Sequence, residues 1–293
     1  MDYKLQFELY VSRFELKLKE RLSFLEKTAP SIIKETIKYA TSDGGKRIRP
    51  VLLYATCDAL GVSLDDADAY ALALEFIHSY SLVHDDLECM DNDDYRRGKL
   101  STHKKYGEAF GVLCGDALLN LAFETALDKS NFNQTDKKAL KILADYSGYN
   151  GMIAGQVLDI LAEKDEDSSI EKFIEIYLNK TSKLLTAPLL IASTLSGDKY
   201  FNLLKDAGEN LGVMFQISDD ILDVEGSLID IGKTPGKDEI ENKMTSLKVL
   251  GLEGAKIFNE KLFNDTIRIL DQIPNTTFLK DLITNLYNRK KWD

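Results

Sequence analysis

Apolar residues recur at three- and four-residue spacing through most of this chain, and sustained period-two alternation rich in Val, Ile and Thr is hard to find. A chain patterned this way buries its apolar side chains by packing helix on helix, so the expected fold class is all-α. Val62 to Arg97 contains neither Gly nor Pro and includes ALALEFIHSYSLVHDD, which predicts one long buried helix ending near an acidic cluster. Gly212 to Gly226 predicts a second. Breakers group at Gly44-Gly45, Pro50, Gly98, Ser196-Gly197 and a loop from Gly226 to Gly236 containing Pro235. Pro188 falls inside an apolar run and predicts a kink. No linker, composition shift or fixed-period repeat divides the chain, so residues 1–293 read as a single domain of many antiparallel helices.

Charge narrows the function classes. A net charge of -11 argues against nonspecific binding to nucleic acid or anionic lipid, and a polyanionic ligand would need a local basic pocket or bridging cations. Cys57, Cys89 and Cys114 are an odd number without CxxC spacing, which supports neither a disulfide framework nor a thiolate zinc site and fits a cytoplasmic protein. The N-terminal MDYKLQFELYVSRFELKLKERL carries charge every few residues and reads as an amphipathic first helix, not a signal peptide. Apolar stretches such as Leu184 to Leu195 fall short of the roughly 20 residues that span a bilayer, so no membrane segment is expected.

The most informative stretch is HDDLECMDNDDYRRGK, which crowds Asp85, Asp86, Glu88, Asp91, Asp93 and Asp94 at the end of an apolar helix. Asp91 lies six residues beyond Asp85 and returns to the same site only if the helix loosens there. Hard oxygen ligands without thiolates suit Mg²⁺, although a solvated acidic helix end accounts for this cluster taken alone. A second cluster, FQISDDILDVEG, supplies Asp219, Asp220 and Asp223, with Asp219 and Asp223 an i, i+4 pair on one helix face. Like charges at that spacing repel, so an apolar helix that carries them points to a cation that offsets the cost. The expected ligand of two such clusters is a diphosphate bridged by Mg²⁺, which shares its shell with phosphate oxygens.

A third element, GGKRIRP, concentrates Lys46, Arg47 and Arg49 after a glycine turn, and such groups suit phosphate oxygens. Arg96 and Arg97 offer a second cationic edge, unless they pair internally with Asp93 and Asp94.

Taken together, these motifs resemble the trans-isoprenyl diphosphate synthases, the farnesyl and geranylgeranyl diphosphate synthase family. GGKRIRP, DDLECMD followed by DYRRGK, Gly155-Gln156, Lys180-Thr181, FQISDDILD, Lys233 and Lys243 stand in the family's order over nearly the whole chain. The resemblance implies a bundle of roughly ten or more helices around a deep central cavity, a homodimer, and several Mg²⁺ ions per active site. It implies Mg²⁺ ligation by Asp85, Asp91, Asp219 and Asp223 on the diphosphate of an allylic substrate. Arg96, Lys180, Thr181, Gln216, Lys233 and Lys243 would line that diphosphate or the charge developing beside it. Lys46, Arg49, His78 and Arg97 would bind the diphosphate of isopentenyl diphosphate. The implied reaction is ionisation of the allylic diphosphate, attack by the isopentenyl double bond, and proton loss to the released diphosphate.

Chain length is argued from the helix. Ser81 sits four residues, about 5.4 Å, before Asp85 and so one turn deeper in the cavity wall, with Tyr80 its neighbour. An aromatic below the metal site should stop the growing tail early, and Tyr followed by Ser resembles bacterial-type farnesyl diphosphate synthases, which favours a fifteen-carbon product over the twenty-carbon alternative unless Tyr80 is an ordinary core aromatic. Glu88 departs from the family, which commonly carries proline there, and leaves the turn toward Asp91 less constrained. The tail residues Arg289, Lys290 and Lys291 read as a frayed, solvated end, the alternative being that they fold over the substrate. A class I terpene cyclase needs only one diphosphate site and would not require GGKRIRP. A non-enzymatic metal-binding bundle would need a second partner for the single Glu75-x-x-His78 motif, and the other histidines, His84 and His103, supply none.

Overall fold

The computed structural model describes residues 2–25, 29–42, 45–129, 132–163, 169–225 and 244–289. The first helix, α1 (Tyr3–Leu25), buries Tyr10, Phe14 and Leu18, an i, i+4, i+8 stripe that seats it against α3 and α4. Then come α2 (Ser31–Ser42), α3 (Ile48–Leu60) and α4 (Leu64–Asp85). Pro50 does not break a helix; it lies in the first turn of α3, where the missing N–H would have had no intrahelical partner. Gly61 ends α3 in the left-handed region at φ 73°. The α4 start is capped by Ser63, whose hydroxyl accepts from the Asp65 amide, with Asp65 and Asp66 favourably placed in the first turn. As the absence of breakers predicts, α4 runs unbroken to Asp85 and is surrounded by α1, α2, α3, α6 and α10.

A two-stranded hairpin, β1 (Tyr95–Arg96) with β2 (Lys99–Leu100), is an addition to the all-α expectation. Arg97 and Gly98 both take positive φ, 52° and 74°, the backbone that a tight two-residue hairpin turn requires. After it follow α5 (Thr102–Tyr106), α6 (Glu108–Asp128), α7 (Gln134–Ser147), α8 (Met152–Ala162) and α9 (Ile170–Tyr177). Among the described residues, α6 alone has the length and apolarity of a membrane-crossing helix, yet it packs Gly111, Cys114, Gly115 and Leu118 into the bundle, chiefly against α4.

A π turn (Leu178–Ser182) joins α9 to α10 (Lys183–Leu195). The expected irregularity at Pro188 is thus displaced: α10 stays helical through the proline, and the chain widens just upstream, at the residues carrying Lys180 and Thr181. The helix expected from Gly212 begins earlier, as α11 (Phe201–Glu225). The last two helices are α12 (Ser246–Leu270), bent at Gly251, and α13 (Thr277–Tyr287). Buried apolar residues from α1 through α13 form one contiguous cluster.

Candidate active site

The first acidic motif caps α4. Without proline at position 88, the turn is stitched by backbone bonds instead: Asp91 N–H donates to the Asp85 carbonyl at 2.9 Å, Asn92 to Leu87 at 3.0 Å and Asp93 to Asp86 at 3.1 Å. Asn92 takes a left-handed φ of 49°, and Asp91 is thereby folded back onto Asp85. Partial withdrawal from water pushes the Asp85 carboxyl up to about 6; Lys180 opposes this rise and Asp91 adds to it. Asp86 goes elsewhere: it is 2% exposed and accepts from Arg96 Nε at 2.9 Å. The Arg96 guanidinium also reaches Asp93 at 3.4 Å, while Asp94 pairs with Lys104 at 2.8 Å. The possible internal pairing of Arg96 is therefore realised, though mainly with Asp86.

On the basic side the structure separates three neighbouring cations. Arg47, counted in the basic motif from sequence, is 2% exposed and fully committed. It donates to Glu15 at 2.7 Å, Glu75 at 2.8 Å and the Thr41 carbonyl at 2.7 Å, and its guanidinium lies over the Phe14 ring. Glu75 is thus a structural counter-charge, which removes the Glu-x-x-His metal reading. Arg49 Nε is buried and has no hydrogen-bond partner among the described residues. Desolvation holds the Arg49 guanidinium down at about 10, against the pull of Glu75 and with the help of Arg97. His78 is held well below its ordinary value by desolvation, then by Arg49 and Arg97, so it is neutral at pH 7. The Arg97 guanidinium lies over Gly45, where an added Cβ would come within 2.9 Å of it. Arg49, His78 and Arg97 therefore share one electropositive basin; Lys46 is half-buried at its edge in sequence.

The π turn carries the third group. Lys180 Nζ donates to Asp159 Oδ2 of α8 at 2.5 Å and lies in the field of Asp85 and Asp91. Asp159 was not among the sequence candidates, although it lies on the same helix as the Gly155-Gln156 motif. Gly155 lets α8 approach: a Cβ there would stand 2.0 Å from the Lys180 amide nitrogen. Gly212 does the same for α11, where a Cβ would stand 2.2 Å from Ser182 Cα. The Thr181 hydroxyl donates to Gln216 Oε1 at 3.0 Å, which ties the turn to the second acidic motif.

On α11, Asp219 and Asp223 are half-buried, whereas Asp220 is 2% exposed and bonded within the protein. The reading of residue 289 as a solvated end is overturned. Arg289 is 5% exposed at its side chain, pairs with Asp219, donates to the Phe215 carbonyl at 3.0 Å and lies 3.9 Å over the Phe215 ring. A protein cation thus stands at the carboxylate assigned to metal. Lys233, Lys243, Lys290 and Lys291 lie outside the described residues. Tyr80 is 6% exposed and meets His84 edge-on at 5.9 Å, while Ser81 Oγ donates to the His78 carbonyl at 3.0 Å.

No three acidic, His or Cys side chains close on one point among the described residues. Asp85, Asp91, Asp219 and Asp223 offer hard oxygen donors, the type that Mg²⁺ takes together with water and ligand oxygens. The raised Asp85 carboxyl and the guanidinium standing at Asp219 both fit such a cation.

Carboxylates at the end of α4 and on α11, with Arg49 on α3 and Arg97 in the hairpin turn, suit a polyanionic ligand held partly through cations. The chain matches the polyprenyl synthetase family over residues 30–276. It is 43% identical over 268 residues to farnesyl diphosphate synthase of Micrococcus luteus, covering 90% of this chain and 91% of that one. It is 39% identical over 262 residues to a chloroplastic geranylgeranyl pyrophosphate synthase of Capsicum annuum, covering 87% and 71%. The crystal structure of a geranyltransferase from Legionella pneumophila superposes with a TM-score of 0.87 at 31% identity, covering 98% and 97%. The chain belongs to the polyprenyl synthetase family, and its fold is the all-α fold of the isoprenyl synthases.

Proposed function

We propose that this protein is a farnesyl diphosphate synthase, condensing isopentenyl diphosphate head-to-tail with dimethylallyl and then geranyl diphosphate. The observation that carries the reading is the arrangement of charge: clustered carboxylates at the end of α4 and a buried arginine near the start of α3. Asp91, folded back beside Asp85, crowds like charge that a divalent cation would offset, and the buried Arg49 Nε, without a hydrogen-bond partner among the described residues, would donate to an anion. A cation-bridged diphosphate beside a second diphosphate supplies both.

Asp85 and Asp91, with Asp219 and Asp223, would hold Mg²⁺. When bound, Mg²⁺ offsets negative charge that accumulates on a departing diphosphate. Lys180, anchored by Asp159, and Arg96, anchored by Asp86, present fixed positive charge to the same group. Lys46, Arg49 and Arg97 would seat the isopentenyl diphosphate, and neutral His78 would donate one hydrogen bond there without adding charge. Thr181 and Gln216 face the allylic carbon with neutral dipoles. The surrounding apolar helices exclude water that would capture a carbocation as alcohol. Lys233 and Lys243 complete the set by sequence position alone.

Residues 1–293 form one catalytic domain on this reading, in a cytoplasmic homodimer. Three free cysteines suit that compartment. Exposed Phe110 and Leu113 on α6, and Val157 and Leu161 on α8, offer apolar area for a second copy. Loss of the dimer in Leu113→Glu by sedimentation would support this pairing.

Incubation with Mg²⁺, isopentenyl diphosphate and dimethylallyl or geranyl diphosphate, then dephosphorylation and chromatography, tests the proposal. Farnesol is the expected alcohol. Geranylgeraniol would retain the chemistry and overturn the short floor at Tyr80; cyclic hydrocarbon or no product would overturn the assignment.

A further inference from the structure

The two adjacent aspartates of the second motif have different surroundings. Asp219 retains 17% of its side-chain exposure, whereas Asp220 is 2% exposed and both its oxygens are used. Asp220 Oδ2 accepts from the Tyr177 hydroxyl, from the Ser246 amide at 2.8 Å and from the Ser246 hydroxyl at 2.6 Å. Three donors on one oxygen leave it no lone pair for a metal. Asp220 Oδ1 accepts from Gln216 Nε2 at 3.3 Å, and Gln216 Oε1 accepts in turn from the Thr181 hydroxyl at 3.0 Å.

We propose that Asp220 is a positioning residue and not a metal ligand: it fixes the sense of the Gln216 amide, and through it the Thr181 hydroxyl, so that oxygen lone pairs and not protons face the allylic carbon. The inference rests on the prenyl-transfer reading above. With Oδ2 taken by three donors, Asp220 meets Gln216 as an acceptor at Oδ1, which selects the NH₂ end of Gln216 and turns the carbonyl end toward Thr181. Threonine has one hydroxyl proton, and donating it to that carbonyl leaves only lone pairs for the reacting centre. With the amide reversed, Nε2 would donate to Thr181 and the threonine proton would be free to point at a developing positive charge. That orientation opposes ionisation, because fixed dipoles act strongly in a site closed to water. Tyr177 is the last residue of α9, next to the π turn, and Ser246 is the first of α12, so the relay is held from two elements besides α11.

Asp220→Asn inverts the relay with little change in shape. Its single oxygen is claimed by the buried Ser246 amide, leaving its NH₂ toward Gln216, which must turn its own oxygen to meet it. The expected result is a fall in kcat of about tenfold to a hundredfold. Calorimetric affinity for Mn²⁺ together with dimethylallyl thiolodiphosphate should stay within about twofold of wild type, while Asp219→Asn loses about tenfold or more. Because the effect passes through Thr181, kcat of Asp220→Asn/Thr181→Val should match Thr181→Val alone within about threefold. Lost metal-dependent binding in Asp220→Asn, or multiplicative kcat effects in the double variant, overturns the proposal. If Asp220→Asn does not fold, Gln216→Met removes the amide between Asp220 and Thr181 and leaves the Thr181 proton unclaimed; reduced kcat with unchanged metal-dependent binding is expected, and full kcat overturns the relay. A wild-type protein without prenyl transfer would refute the functional reading itself, and the calorimetry would still decide whether Asp220 ligates metal.

Discussion

Gly155→Ala tests whether the π turn must sit where α8 holds it. The added Cβ would lie 2.0 Å from the Lys180 nitrogen, 2.4 Å from its Cα and 2.6 Å from the Asn179 carbonyl carbon. Ordinary contact begins near about 3.5 Å, so α8 and the turn must separate by roughly 1–1.5 Å. Overpacking of this kind costs about 1–3 kcal/mol, and replacing a helical glycine by alanine returns about 1 kcal/mol. The protein therefore stays folded with Tm lowered by several degrees. Lys180 and Thr181 ride on the displaced backbone, and a shift of about 1 Å at catalytic groups lowers turnover about a hundredfold. Gly254→Ala, whose nearest new contact is Leu250 Cβ at 3.2 Å on α12, is the control and should keep full activity. The assay is kcat for prenyl transfer beside a thermal melt. Wild-type kcat in Gly155→Ala, or a loss accounted for entirely by unfolded protein, would refute the reasoning.

Asp85→Ala and Asp219→Ala should each lower turnover by several orders of magnitude while helical circular dichroism survives; retained activity would remove both from the metal site. Tyr80→Ala should lengthen the product seen by chromatography if that ring is the floor, and unchanged farnesol would place the floor elsewhere. Arg49→Ala should chiefly raise KM for isopentenyl diphosphate; an equal loss in ionising the allylic substrate alone would contradict its placement. His78 resists protonation in the folded state, so the unfolded chain binds the proton more readily and stability falls as pH drops below about 6.5. His78→Gln should flatten that part of the Tm profile, measured without ligands, and an unaltered slope would assign it to other groups.

The helical class, the course of α4 and the acidic end of α4 were legible in the sequence, because apolar periodicity and freedom from breakers act locally. Local signals misplaced other features. Pro50 reads as a breaker but sits in the first turn of α3, since a proline in a first turn forfeits no intrahelical bond. The irregularity near Pro188 falls instead at 178–182, where α8 and α11 press glycines against the chain. The hairpin at 95–100 is too short to carry an alternating pattern, yet its turn orients Arg97.

The sequence by itself determined which chemical groups are available: two acidic clusters, a basic turn and a Lys-Thr pair, in an order that resembles one family. Tertiary structure decided which member of each cluster does what. Arg47 and Arg49 are two residues apart, yet Arg47 is neutralised by Glu15 and Glu75 while Arg49 is left with a buried nitrogen that has no partner among the described residues. Asp219 and Asp220 are neighbours, yet one meets Arg289 and the other is saturated by Tyr177 and Ser246. Spacing along a helix fixes the direction of a side chain, whereas its charge state and free lone pairs depend on partners 26 to 70 positions away, such as Ser246 for Asp220 and Arg289 for Asp219. Only the packed bundle brings those partners within hydrogen-bonding reach.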